Sequence, residues 1–150
     1  MAFSDAEKLA RHPEVDLVTV SVKVPDHYLP VMAAIEAGKH VYCEWPLGRN
    51  TDEAARMRDA ANCKGVGHAV GLRPGIAGHQ LHQGSDRRGL CRSRSVGEMI
   101  GCAPNWGPSI DRAYQADFAN GANLLTITGG HTIDALCYCL GEFRELVASS

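Results

Sequence analysis

"KHVYCEWPLGRN", Lys39 to Asn50, decides how this chain is read. Strand-like residues, "HVYCE", run straight into Glu44, Trp45 and Pro46. Upstream, "VDLVTVSV" (15–22) is dense in β-branched residues, and its near-continuous apolar character predicts a strand covered on both faces, as in a parallel sheet. Between the two, Asp26 is placed to cap a helix over 27–37. Tyr28, Val31, Met32 and Ile35 fall at i, i+3, i+4 and i+7 there, forming one apolar stripe that Gly38 ends. Past the corner, Asn50 or Thr51 opens a helix over 52–63 with Asp52 and Glu53 near its positive end, and "GVGHAVGL" supplies a third strand. At the start, "SDAEKLARH" (4–12) reads as a helix capped by Ser4, with Glu7 in capping-box position and Pro13 as its stop.

Alternating helices and strands predict an α/β fold with a parallel sheet and helical crossovers. In such sheets ligands sit beyond the carboxyl ends of the strands. Two of those ends carry polar chemistry here, "VKVPDH" and "CEWPLG". The later chain is less regular. Residues 71–101 show no clear period and read as loops, and "NWGPSIDRAY" reads as an irregular connection. From 131, "HTIDALCYCLG" predicts a helix closed by Gly141, with Ile133, Leu136, Cys137 and Leu140 as its apolar stripe; "ELVAS" reads as the start of a strand.

The bulk numbers bound the function classes. The chain has 150 residues, 15 basic and 17 acidic, for a formal net charge of -2. That suits one ordinary domain or two pieces of a larger one, and gives no global pull toward nucleic acid or an anionic membrane. Arg87, Arg88, Arg92 and Arg94 form a local basic run, but without interleaved aromatics it reads as a solvated surface. No apolar run is long enough to cross a bilayer, and the opening lacks the basic start and apolar segment of a signal peptide. Cysteines at 43, 63, 91, 102, 137 and 139 fit no zinc spacing and read as free thiols of a reducing, cytoplasmic compartment. The sequence holds no phosphate loop, metal-ligand motif or serine nucleophile elbow.

The candidate site residues each carry two readings. His27, just past Pro25 at a strand end, suits a phosphate or ribose hydroxyl, or only a polar helix start. Glu44 suits two sugar hydroxyls or a cation, or merely ties down a turn. Trp45-Pro46 is a candidate cis bond, with the indole set against a bound planar group or serving as core filling. Tryptophan transfers no proton at neutral pH, so the corner has no general acid at its centre. His131 follows Gly129-Gly130, which permits close approach, and lies three residues before Asp134 on one helix face. It reads as an acid or base near pH 7, or as a structural histidine.

Taken together, "VSVKVPDHY", "AAIEAGKHVYCEWPL" and "GGHTIDALCYCLG" resemble the glucose-fructose oxidoreductase / inositol dehydrogenase (Gfo/Idh/MocA) family. The resemblance implies a partial Rossmann-like parallel sheet, over residues 1–70, followed by the start of an α+β substrate or dimerisation domain over 71–150. It implies NAD or NADP as cofactor, contacted by Pro25, His27, Glu44, Trp45 and Pro46. It also implies a sugar or polyol substrate, His131 as the catalytic residue, no metal, and homo-oligomerisation through the second domain. Three departures stand out. The family's first strand and glycine-rich turn are absent, so the chain reads as N-terminally truncated. Trp45 stands where the family carries its catalytic lysine, and Ile127 where an aspartate is expected four residues before the helix histidine. Glu-Trp at the corner resembles a branch of the family that includes the fungal galactose-pathway repressor. Three expectations follow: a sugar or polyol oxidoreductase, inactive if the truncation removes what it needs; a non-catalytic dinucleotide-binding regulator with a protein partner; or a non-functional fragment.

Overall fold

The computed structural model describes residues 2–72, 110–140 and 142–147. The first region is built on three short strands: β1 (Leu17–Val20), β2 (His40–Glu44) and β3 (His68–Gly71). They pair in the order β1-β2-β3, parallel throughout, with Leu17 opposite His40 and Val41 opposite His68. Parallel neighbours need crossovers, and helices α2 (Tyr28–Glu36) and α3 (Thr51–Lys64) supply them. A short helix α1 (Ala6–Ala10) packs on α2.

The core lies between the sheet and these helices. Val18, Val20, Val41 and Cys43 point into it from the strands, and Val31, Ala34, Ile35, Met57 and Ala61 from the helices. The stripe read from the sequence is the buried face of α2: Val31 and Ile35 are fully enclosed, with Tyr28 and Met32 packed at the margin. Each such aliphatic side chain contributes about 1.5–3 kcal/mol by leaving water.

Local differences from the sequence reading have local causes. Strand β1 is covered on one face only: Val18 and Val20 are buried, whereas Leu17 and Thr19 are exposed. Among the described residues the packed helices reach only one side of the sheet. Asp5, not Ser4, caps α1, its carboxylate accepting from the Glu7 backbone N–H. Asp26 caps nothing, because Val24–Asp26 form a 3-10 turn and α2 starts after His27. Asn50 does cap α3, accepting from the Glu53 N–H at 2.9 Å.

The second described region is helical. Two 3-10 segments, Ile110–Ala116 and Phe118–Asn120, lead to a π-helical turn, Leu125–Gly129, which runs directly into helix α4 (Gly130–Leu140). Part of "NWGPSIDRAY" is thus a regular 3-10 helix rather than an irregular connection. The expected α4 stripe is not a buried one: Ile133 is exposed, Leu136 and Cys137 are half-buried, and Ala135 is the enclosed residue. Residues 142–147 form no strand, so the expected start of one at Glu145 is not seen. Residues 73–101, with their arginine run, and Gly141 lie outside the described residues.

Candidate functional site

The carboxyl ends of β1 and β2 lie side by side, since Val20 is paired with Cys43. That register puts Ser21 against Glu44, and the Ser21 hydroxyl donates to Glu44 Oε2 at 3.0 Å. The Glu44 side chain keeps 43% of its surface exposed, so one carboxylate faces outward at the strand ends with a partner already in place. The next peptide bond, Trp45-Pro46, is cis.

His27 sits beneath this corner and is fully buried. Its Nδ1 lies 3.0 Å from the Pro46 carbonyl and 3.3 Å from that of Leu47, and its Nε2 lies 3.0 Å from the Val22 carbonyl. Glu44 Oε1 is 3.6 Å from the same Nε2. The ring ties the segment after β1 to the segment after β2 and sits under the site rather than on its surface. Pro25 is half-buried within the 3-10 turn that delivers His27.

Cys43, His27 and Glu44 have the membership of a nucleophilic triad, with Cys43 Sγ 3.5 Å from His27 Nδ1. The chemistry does not follow. Burial, with a smaller push from Glu44, raises the Cys43 thiol to about 12, and no solvent reaches it. A thiol in that state supplies no thiolate near neutral pH.

The second region closes on the corner. The Trp45 indole N–H donates to the Thr126 carbonyl at 2.6 Å. A Cβ on Gly130 would lie 2.6 Å from Trp45 Cε2 and 2.7 Å from Cζ2, so only glycine lets α4 begin against the indole. Consecutive Cα atoms are about 3.8 Å apart, which places His131 within one residue's length of that contact. The structure thereby sets the start of α4, which carries His131, against Trp45, although the two lie far apart in the sequence. Asp134 follows one turn later on α4, and its Oδ2 is buried with no hydrogen-bond partner among the described residues. Nearby, Lys23 Nζ lies 5.2 Å from the centre of the Tyr114 ring.

Sequence reasoning missed the clamp behind the corner. Glu53, buried in the first turn of α3, accepts from Arg49 Nε at 2.8 Å and from the Arg49 backbone N–H at 3.0 Å. Asn50 followed three positions later by Glu53 was the available signal, since a carboxylate there commonly reaches back past the cap. The Arg49 guanidinium holds the Glu53 carboxyl below its ordinary range, while burial works against that shift. The sign of the pH effect follows. The folded-state pKa is depressed, so the contribution is complete above the unfolded carboxylate value and fades as pH falls through the folded one. Replacing Arg49 by alanine is expected to lower stability at neutral pH, because the buried Glu53 carboxylate loses its charged partner. Its deficit against the parent chain should shrink in acid, below about pH 4; denaturant titrations at several pH values measure this. Equal deficits at all pH values would contradict the clamp. Ser21 and Thr126 carried no signal, because their roles arise from register and from contact across 81 positions.

A groove of about 570 Å³ opens between the 3-10 segments and α4, lined by Gln115, Asn123, Leu125, Thr128 and Thr132 among others. It touches neither Glu44 nor His131, and Phe118, Leu124 and Leu125 stand exposed there, so its character is that of a packing surface.

Comparison with known proteins gives this arrangement a family. Residues 1–72 match the oxidoreductase family with an NAD-binding Rossmann fold, and residues 90–149 match the C-terminal domain of Gal80p. The chain belongs to the Gfo/Idh/MocA oxidoreductase family. Dehydrogenase aclE of Aspergillus oryzae is 39% identical across 97% of this chain and 40% of its own length. An NAD-binding oxidoreductase from Klebsiella pneumoniae is similar in structure, with a TM-score of 0.69, 31% identity and coverage of 93% of this chain and 38% of that one. A super-repressor mutant of Gal80p from Saccharomyces cerevisiae has a TM-score of 0.77 at 26% identity, over 93% of this chain and 38% of its own. The chain thus spans well under half the length of the relatives it matches.

The cofactor class of this Gfo/Idh/MocA member is NAD or NADP. The strand ends suit the nicotinamide half of such a molecule: a half-exposed carboxylate with one oxygen already held, beside a flat indole edge. The glycine-rich turn that cradles a pyrophosphate has no counterpart among the described residues. No group of His, Cys, Asp or Glu among the described residues is arranged to hold a metal ion, and no described helix is long and apolar enough to cross a membrane.

Proposed function

We propose that this chain contributes to an NAD(P)-dependent oxidoreductase acting on a sugar or polyol, with residues 1–70 as the dinucleotide side and 71–150 as part of the substrate side. One observation supports the reading: Gly130 packs on Trp45, the residue after Glu44 at the strand end, and His131 is the next residue of α4. NAD or NADP, when bound, supplies the hydride acceptor. Glu44 holds hydroxyls of the cofactor's ribose, while Trp45 and Pro46 wall the nicotinamide side. His27 and Pro25 act from below, by fixing the two strand ends that present these groups. His131 takes the hydroxyl proton of a carbinol substrate as hydride leaves. The buried Asp134 oxygen favours a hydroxyl donor at the same end of α4. Names among the relatives fit this class, including an inositol 2-dehydrogenase and a levoglucosan dehydrogenase. Free thiols at Cys43, Cys63 and Cys137 support a reducing compartment of cytoplasmic type.

A second reading rests on Trp45. It stands where a proton-carrying lysine is expected, and its N–H is committed to Thr126. A dinucleotide-binding regulator, working through a protein partner or as a homo-oligomer, requires no proton transfer there. The similarity to the galactose/lactose regulatory protein favours the same alternative.

Titrating the purified chain with NADH and NADPH, read by calorimetry and by thermal unfolding, tests the shared premise. The expected result is saturable heat and a raised midpoint with one of the two. No response to either would sink both readings. Oxidation of a hexose or inositol, lost in His131→Gln with cofactor binding retained, then selects the enzyme. Binding without turnover selects the regulator.

A further inference from the structure

We propose that Trp45 is a positioning residue for His131, setting the histidine's place through the π-helical turn that precedes it. The inference rests on the oxidoreductase reading for its purpose, but its geometry stands on the chain alone. A π-turn displaces backbone groups from regular α-helical pairing, and such turns concentrate at functional sites. Here the turn spans Leu125–Gly129 and ends two residues before His131, with Gly130 between them.

The Thr126 carbonyl, in that turn, receives two donors: the Gly130 backbone N–H and the Trp45 indole N–H. The turn is also stitched from its other end. The Thr126 hydroxyl donates to the Gly121 carbonyl at 2.8 Å, and the Asn123 side chain accepts from the Thr126 N–H at 3.0 Å. One indole therefore meets this segment twice, by a hydrogen bond to Thr126 in the π-turn and by ring contact with Gly130 at the start of α4. Indole is rigid and its N–H direction is fixed by the ring. A lysine at this corner would present a flexible ammonium, which offers no face for Gly130 to pack on. The substitution that removes a proton carrier thus installs a fixed support under His131.

The test uses the full chain without cofactor, so that its outcome is separate from that of the cofactor titration. Proton NMR follows the His131 ring Cε1–H resonance, assigned by its disappearance in His131→Gln. Trp45→Phe keeps most of the ring and removes the N–H, and Gly130→Ala pushes a methyl group against the indole. Both are expected to move the His131 resonance by more than its line width and to alter its profile against pH. Lys23→Ala, which loosens the separate contact with Tyr114, is expected to leave it in place. If Trp45→Phe fails to fold, Gly130→Ala carries the comparison. An unmoved resonance in the folded variants overturns the proposal, as does an equal movement in Lys23→Ala, since that would report general loosening of the interface.

Discussion

Gly121→Ala is expected to lower the stability of the chain by about 2–5 kcal/mol, combining a left-handed conformer with overpacking. Gly121 has φ +65°, and a Cβ there would fall inside contact distance of the Arg49 carbonyl oxygen, Cα and carbonyl carbon. These are backbone atoms, so no rotamer change relieves the clash. Arg49 cannot easily retreat either, because Glu53 holds both its backbone N–H and its guanidinium. Gly38 is the internal control. It too has a positive φ, +73°, but a Cβ there meets nothing within 4 Å. Gly38→Ala is therefore expected to show the conformational cost alone, about 1–2 kcal/mol. Urea unfolding of both variants measures the difference. Equal losses would mean that the second region does not approach the Arg49 loop as closely as the structure has it.

His27→Leu is expected to cost about 2–4 kcal/mol, although leucine is apolar and the site is fully enclosed. Only one side of each interaction is removed: a neutral imidazole carries one N–H, so the carbonyls on one side of the ring, those of Pro46 and Leu47 or that of Val22, lose a donor and gain nothing. Leaving buried acceptors without donors costs more than a hydrogen bond's net worth. The loss should also reach the site, since the ring fixes the backbone on either side of Glu44 and Trp45. Equilibrium denaturation gives the first quantity, and NAD(P)H titration of the folded variant gives the second. A variant as stable as the parent chain would show that the three contacts are incidental and that shape alone holds the corner.

His27 also shows how far a sequence can be read. Its position just after a strand end was legible, and so was the choice between ligand contact and structural role. Burial beneath Pro46 was not, because it depends on the segment after β2 folding back over the end of β1. The α2 stripe was legible in the sequence and the α3 cap was narrowed to Asn50 or Thr51, since each depends on residues within two turns of one another. The exposed face of β1 was not, because an apolar run does not say how many sides are covered. The stripe expected in α4 failed for a related reason: periodicity names a face, and only the neighbours present decide whether it is buried.

Local residue patterns were enough for the alternation of strands and helices, the parallel pairing that follows from it, and the corner at Glu44, Trp45 and Pro46. Local propensity, period and turn chemistry suffice for these. Only the folded chain shows that Trp45 supports the start of α4 through Thr126 and Gly130, and that Gly121 rests on Arg49. Those contacts join residues more than 70 positions apart, and no local pattern encodes them. They depend on close packing, where the absence of one Cβ decides whether two backbones can meet.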